Sequence, residues 1–239
     1  MKKLIVVLLV LSSACSSTQV TQAITEATKV LEGQSTAPTT EQVAAGLKEA
    51  LVKGITIGAD QVSQADGFLR NPQIKIPFPP DVRKVEDKLR QIGMGAEVDR
   101  FVETLNHGAE NASKEAKPIF INAIQQMTFE DAWEILKGSE DAATQYLKRT
   151  TTPQLKAKFK PVIQNSLNQV QATKYYGDIV TTYNKIPFVE KVNPDLNEYA
   201  TDLAMQGLFV MIAAEEKKIR ENPIERTTDL LKKVFEYQK

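Results

Sequence analysis

One cysteine, one histidine and one tryptophan occur in 239 residues, and this scarcity closes off several chemistries before any pattern is read. With Cys15 alone no intramolecular disulfide can form, so stability must come from the core even in an oxidising compartment. With His107 alone, multi-histidine zinc sites are excluded, and a Ser-His-Asp arrangement would have to be built on that residue. His107 lies in LNHGAEN and the chain has no G-x-S-x-G, so it reads as a surface or half-buried side chain. The phosphate-cradling loops G-x-G-x-x-G and G-x-x-x-x-G-K-[ST] are missing as well. No catalytic residue, metal ligand or cofactor is therefore assigned. An excess of positive charge is also lacking, since 30 Lys and Arg meet 30 Asp and Glu, which argues against nucleic acid as a partner. The apolar run LAMQGLFVMIAA, residues 203–214, falls short of the ~20 residues needed to cross a bilayer.

What is present begins with MKKLIVVLLVLSSAC. Lys2 and Lys3 form a positive n-region, Leu4 to Leu11 an apolar h-region, and small residues precede Cys15, which is the layout of a secretory signal. The segment resembles a bacterial lipobox, with Ser12 standing where Leu, Val or Ile is usual three residues before the cysteine. Residues 1–14 are thus expected to be a signal peptide and Cys15 a lipid attachment site, with several acyl chains giving stable membrane anchoring. Ser16 follows, with no Asp to resemble an inner-membrane retention signal and no acidic cluster to resemble a surface-export signal. The expected location is the bacterial cell envelope, as an outer-membrane lipoprotein facing the periplasm. Residues 15–40, rich in Ser, Thr, Gln and Ala, read as a lipid-attached flexible tether. Removing the leader takes Lys2 and Lys3 and no acid, so the remainder is slightly negative.

Residues 41–239 read as a single all-α domain of many helices. Thr39 with Gln42 makes a capping pair, after which Val43, Leu47, Ala50, Leu51, Gly54 and Ile55 share one helical face. Gly54 and Gly58 form a G-x-x-x-G among charged neighbours, which suits close packing of soluble helices. Asp66-Gly67 breaks this helix, and residues 72–80 form an extended Pro-rich strap in which Ile74, Ile76 and Phe78 alternate with Lys75 and Pro77. Its prolines predict that it crosses helices and does not pair in a sheet. Short amphipathic helices follow, marked by Val82–Ile92, Val98–Ala112, Phe120–Met127 and Phe129–Leu136, the last opened by Thr128 with Asp131 and stopped by Gly138. SEDAATQYLKR predicts a further short helix, and Thr152-Pro153 the start of another, kinked at Pro161. Tyr176 to Tyr183 mark one more, and Asn222-Pro223 opens a last helix that docks through Ile224, Leu231, Val234 and Phe235.

The domain is expected to be organised around a buried central helix at about 196–221, capped by Asp195 with Glu198. Its run 203–214 wraps the whole circumference, so no face of it is suited to water. Gln206 is the one polar side chain in that run, and it marks a possible buried polar site needing partners. Acidic pairs occur at Glu130-Asp131, Glu140-Asp141 and Glu215-Glu216. Helix capping accounts for the first two, and the third reads as part of a solvated helix end with Lys217, Lys218, Arg220 and Glu221.

Several long segments in one order carry a resemblance: DGFLRNPQIKIPFP, AKPIFINAIQQMTFEDAWEILKG, DAATQYLKRTT and GLFVMIAAEEKKIRENPIERTTDLLKKVF. Together they resemble the domain of unknown function 4197 family, uncharacterised bacterial envelope proteins that are often lipoproteins, over about Glu41 to Phe235. The resemblance implies an all-helical secreted or lipid-anchored domain and supplies no activity, substrate or site residue. The expectation is a non-catalytic binding or interaction domain, held to the membrane by its lipid and engaging an envelope protein or an apolar ligand. The alternatives are a carboxylate-dependent envelope hydrolase and a purely structural envelope spacer.

Overall fold

The structure is a computed structural model that describes residues 39–169, 171–185, 187–188, 191–193, 195–222 and 232. These residues fall in the second of the two units into which the chain divides, Thr39–Lys239. The signal peptide, Cys15, the tether to residue 38 and the terminal helix expected after Asn222 lie outside the described residues, save Lys232.

The domain is all-helical, with no strand among the described residues. In chain order the helices are α1 (Thr40–Ser63), a 3-10 turn (Pro80–Val82), α2 (Arg83–Gln91), α3 (Gly95–Ser113) and α4 (Ala116–Gln126). They continue with α5 (Phe129–Lys137), α6 (Ala142–Gln169), α7 (Ala172–Tyr183) and α8 (Leu196–Glu221).

Helix α1 starts where the capping pair places it. Thr39 Oγ1 accepts from the Gln42 amide at 3.2 Å, and Gln42 Oε1 accepts from the Thr39 amide at 3.1 Å, satisfying two donors that a helix end leaves free. Val43, Leu47, Ile55, Ala59 and Val62 are buried along one side, and the two glycines of the G-x-x-x-G lie against α8. A Cβ on Gly54 would meet Ile219 Cδ1 at 3.3 Å, and one on Gly58 the Met211 carbonyl oxygen at 3.4 Å. The motif therefore packs two helices of the domain closely. At the end of α1 the chain turns through Asp66, whose φ is 64°. It then passes Gly67, where a Cβ would lie 2.5 Å from the Gln61 carbonyl oxygen, so only glycine fits.

The strap behaves as its alternation predicts: Ile74 and Ile76 are buried while Gln73, Lys75 and Pro77 are exposed. It runs over the helices and pairs with no strand among the described residues.

Helix α8 sits at the centre, in contact with α1, α3, α6 and α7. Asp195 caps it, its carboxylate accepting from the Glu198 amide at 2.9 Å. Ala200, Ala204, Leu208 and Ile212 are buried four residues apart, and Phe209 meets Phe120 of α4 edge-on at 5.8 Å between ring centroids. Total burial of the run 203–214 is corrected, however. Asp202, Gln206 and Val210, also four apart, form a stripe open to solvent that the neighbouring described helices leave uncovered.

Two further expectations change. The break predicted between SEDAATQYLKR and Thr152-Pro153 is absent, and α6 runs unbroken through both Pro153 and Pro161. Hydroxyls of Thr150, Thr151 and Thr152 donate back to the carbonyls of Tyr146, Leu147 and Lys148 at 2.9, 2.5 and 2.5 Å. Both prolines lie on the exposed side of the helix, where water can reach the carbonyls they orphan. Leu155, Phe159, Ile163 and Leu167 meanwhile hold the other side in the core. The apolar stripes of α2 and α5 also end sooner than predicted, with Ile92 and Phe129 exposed. Each sits at a helix terminus: Ile92 follows α2, none of whose residues is fully buried, and Phe129 opens α5 before its first buried residue, Ala132.

Candidate functional site

A strap crossing a helical core brings backbone N–H and C=O groups into a region without water, and each must find a partner. Two side chains of α3 provide them. Asn106, fully buried, accepts from the Ile76 amide and donates to the Ile76 carbonyl, both at 2.8 Å, as a neighbouring β-strand would. Its amide nitrogen also donates to the Val102 carbonyl at 2.7 Å. One turn on, the buried Glu110 accepts through Oε1 from the amides of Phe68 and Leu69 at 3.1 and 3.3 Å. Its Oε2 lies 2.7 Å from Nδ1 of His107. The lone histidine is thus half-exposed, as its context predicts, and engaged with the carboxylate that anchors the start of the strap. Tyr199 of α8 holds the other end, donating to the Pro77 carbonyl at 3.2 Å. Burial pushes its ionisation up to about 12, so at neutral pH the phenol keeps the proton that it donates.

Clamped in this way, the strap forms one wall of a cleft of about 520 Å³, with α2 and α3 as the others. Leu69, Phe78 and Val102, each half-buried, form a small apolar floor within a lining that is mainly polar. The Phe78 ring is braced by Phe101 at 4.9 Å between centroids. Charged side chains surround this floor. Arg90 of α2 lies between Glu86, at 3.0 Å, and Asp99 of α3, at 2.9 Å. Hydrogen bonds to Asp99 and then to Glu86 raise its pKa above the usual guanidinium value, so this cation is taken up in joining α2 to α3. Arg70 pairs with Asp66 at 2.9 Å. Lys75 and Arg83 are exposed and make no ion pair among the described residues.

The residues singled out from the sequence fall elsewhere. Gln206 is exposed on the open stripe of α8, so the possible buried polar site there is corrected: an amide facing water needs no protein partner. Asp131 caps α5, accepting from the Thr128 amide at 2.9 Å. That backbone bond and one from the Thr128 hydroxyl hold its carboxyl below the usual range. Asp141 is lowered likewise by Gln145 and Ser139, while Glu130 and Glu140 are exposed. The capping role expected of these acids accounts for Asp131. Among the described residues no group of three or more His, Cys, Asp or Glu could hold a metal ion, and no helix is long and apolar enough to cross a membrane.

The solvated helix end expected at Glu215 and Glu216 is also corrected, since both are buried. Glu216 accepts from the Ala143 and Thr144 amides at 3.0 and 2.9 Å and from the Thr144 hydroxyl at 2.8 Å, serving as a cap for α6 supplied by another helix. Arg220 pairs with it at 2.9 Å and donates to the Ile135 carbonyl at the end of α5, also at 2.9 Å. A cavity of about 20 Å³ beside Gly54 is lined by this pair and by core side chains. By joining α8 to α6 and α5, this pair acts as a bolt between three helices.

Neither cluster is named by the sequence reading. The spacing of Asn106 and Glu110, four apart beside the small residues Gly108, Ala109 and Ala112, is a readable sign of polar groups on a buried face. The cleft leaves no such sign, because its walls come from three separate segments.

A family model described as "Protein of unknown function (DUF4197)" matches residues 37–236. No curated protein and no solved structure matches the chain.

Proposed function

From the premise that this chain belongs to the DUF4197 family, whose description assigns no activity, we propose that it is a lipid-anchored, periplasm-facing binding domain that works without catalysis. Its binding site is the cleft between the strap, α2 and α3. The observation that carries this reading is the clamp. Asn106, Glu110 and Tyr199 fix the strap from both ends, so the cleft is shaped before any ligand arrives. A preformed site lowers the ordering cost of binding, and about 520 Å³ lies within the roughly 300–1,000 Å³ common for ligand pockets. The lipobox-like segment ending at Cys15 supports the anchor, and the Ser- and Thr-rich stretch after it supports a tether.

Photo-crosslinking in cells tests the site. A crosslinker at exposed Gln73 on the strap should capture an adduct that one at exposed Gln154 on α6 does not; identical products from both positions would refute a specific site. For the anchor, Cys15→Ser should move the protein from the membrane fraction to the soluble one. Retention of that variant would refute lipid attachment.

A further inference from the structure

Resting on the lipid-anchor reading above, we infer that the turn between α2 and α3 is a second membrane contact, which sets Ile92 and Met94 into the surface of the bilayer that holds the chain. The turn reads Gln91-Ile92-Gly93-Met94-Gly95-Ala96, without a charge between Arg90 and Glu97. Ile92 is 59% exposed and Met94 40%. Gln91, Gly93 and Ala96 are exposed as well, and α2 has no fully buried residue. A single exposed apolar residue is ordinary, but two on one uncharged turn make a surface whose removal from water is favourable. The turn is also held in shape. Gly93, with a φ of 89°, ends α2 in the left-handed conformation. Its amide donates to the Arg90 carbonyl at 3.2 Å, and the Met94 amide donates to the Leu89 carbonyl at 2.9 Å. Arg90 then ties α2 to α3 through Asp99 at 2.9 Å. Ile92 and Met94 are thus presented before anything covers them, which lowers the ordering cost of a contact.

What covers them follows from the length of chain that leads to the domain. Residues 15–38 join the lipid-bearing Cys15 to Thr39, and even fully extended they span no more than about 85 Å. A bilayer is therefore always within reach at high effective concentration, whereas a protein partner would first have to be met. Two apolar side chains are also little for a protein interface, which commonly buries about 800 Å² on each partner. They suffice for a shallow lipid contact, where an apolar face sinks about 5–10 Å into the boundary between head groups and acyl chains. The uncharged turn carries no charge into that boundary, and Arg90 and Glu97 on either side set the depth at which it stops.

The test reads membrane depth in the lipid-bearing protein, isolated from cell membranes and reconstituted into vesicles of phosphatidylethanolamine and phosphatidylglycerol. Ile92→Cys, Met94→Cys and Gln154→Cys each add a thiol for a polarity-sensitive fluorophore. The parent should take up no label, because its one cysteine carries the lipid. With spin-labelled lipid in the vesicles, labels at positions 92 and 94 should shift to shorter wavelength and lose most of their emission. The label at 154, an exposed position on α6, should do neither. A label placed through Ala96→Cys should also be quenched, and adding Ile92→Gln with Met94→Gln should abolish that quenching while the protein melts as the parent does, since neither side chain is in the core. Absence of quenching at 92 and 94, in a protein whose parent takes up no label, overturns the membrane contact and leaves the anchor standing. Equal quenching at 154 overturns a contact made by this turn. A wavelength shift at 92 without quenching puts a second copy of the chain there in place of lipid, and overturns the inference too. Quenching at 96 that survives the two Gln substitutions overturns the part given to Ile92 and Met94. A parent that takes up label at Cys15 overturns the anchor, and this inference with it.

Discussion

Replacing Asn106 by alanine should destabilise the domain more than any other single loss of a neutral polar side chain described above. Among the described residues the buried carboxamide is the one partner of both backbone groups of Ile76, and Ile76 is itself fully buried. Truncation leaves one N–H and one C=O unpaired where water does not reach. At about 1–3 kcal/mol for each orphaned group the cost is about 2–6 kcal/mol, the bond to the already helix-bonded Val102 carbonyl adding little. Against a typical domain stability of about 5–15 kcal/mol this is a large fraction. At about 2–4 °C per kcal/mol for a domain of this size, the midpoint of thermal unfolding should fall by about 4–24 °C. Urea unfolding gives the free energy directly, and amide hydrogen exchange locates the loss. In the variant the Ile76 amide should exchange through local release of the strap, well below the free energy of global unfolding. Asn106→Asp should restore only part of the loss, because a carboxylate can accept from the Ile76 amide but cannot donate to its carbonyl. A midpoint lowered by less than about 1 °C, against the fall expected from the orphaned groups, or an Ile76 amide as protected as in the parent, would refute the role given to this side chain.

Three more outcomes are expected. Glu216→Ala should cost about 3–5 kcal/mol in urea unfolding, because it strips the α6 cap and takes the carboxylate from Arg220, whose side chain is only 10% exposed; converting both residues to methionine should cost less than the single change, and the reverse order would refute the role given to the pair. Gly207→Ala places a Cβ 2.6 Å from Phe68 Cε1 and 3.1 Å from Ile74 Cβ, so it should lower stability by about 1–3 kcal/mol through overpacking. Gly177→Ala, with nothing within 4 Å, should instead raise it by roughly 0.5–1 kcal/mol as helix propensity dictates, and a shared sign for the two glycines would contradict the packing described. Because Asp131 is held below its ordinary pKa by Thr128, its contribution to stability is present above the unfolded value near 4 and is lost as pH falls through the folded one. The pH dependence of the melting midpoint below about pH 4 should therefore be shallower in Asp131→Asn than in the parent, and parallel curves would show that the cap is energetically silent.

Helix boundaries that depend on local chemistry are legible in the chain itself. Thr39 with Gln42, Thr128 with Asp131, and Asp195 with Glu198 each carry their hydrogen bonds within three residues, so a short stretch of chain contains the whole interaction. The alternation of the strap is legible for the same reason. Pro153 misleads in the other direction: its local signal is a helix start, but burial of Leu147, Leu155 and Phe159 keeps α6 continuous through it. Gln206 and Glu216 exchange their expected roles. Both lie on α8, and which of its sides is covered depends on where α1, α3 and α6 dock.

By itself, then, the sequence determined the all-helical class, the extent of the central helix, the strap with its inward isoleucines, and the exclusion of disulfide and multi-histidine chemistry. Each of these rests on periodicity, capping or composition, which act over a few residues or need no geometry at all. Only the tertiary structure decided that Asn106 and Glu110 hold the strap, that Glu216 caps a helix more than seventy residues away, and that Lys75 and Arg83 face one cleft. Those arrangements depend on long-range packing, where a partner is chosen by the fold as a whole and leaves no trace in its own neighbours.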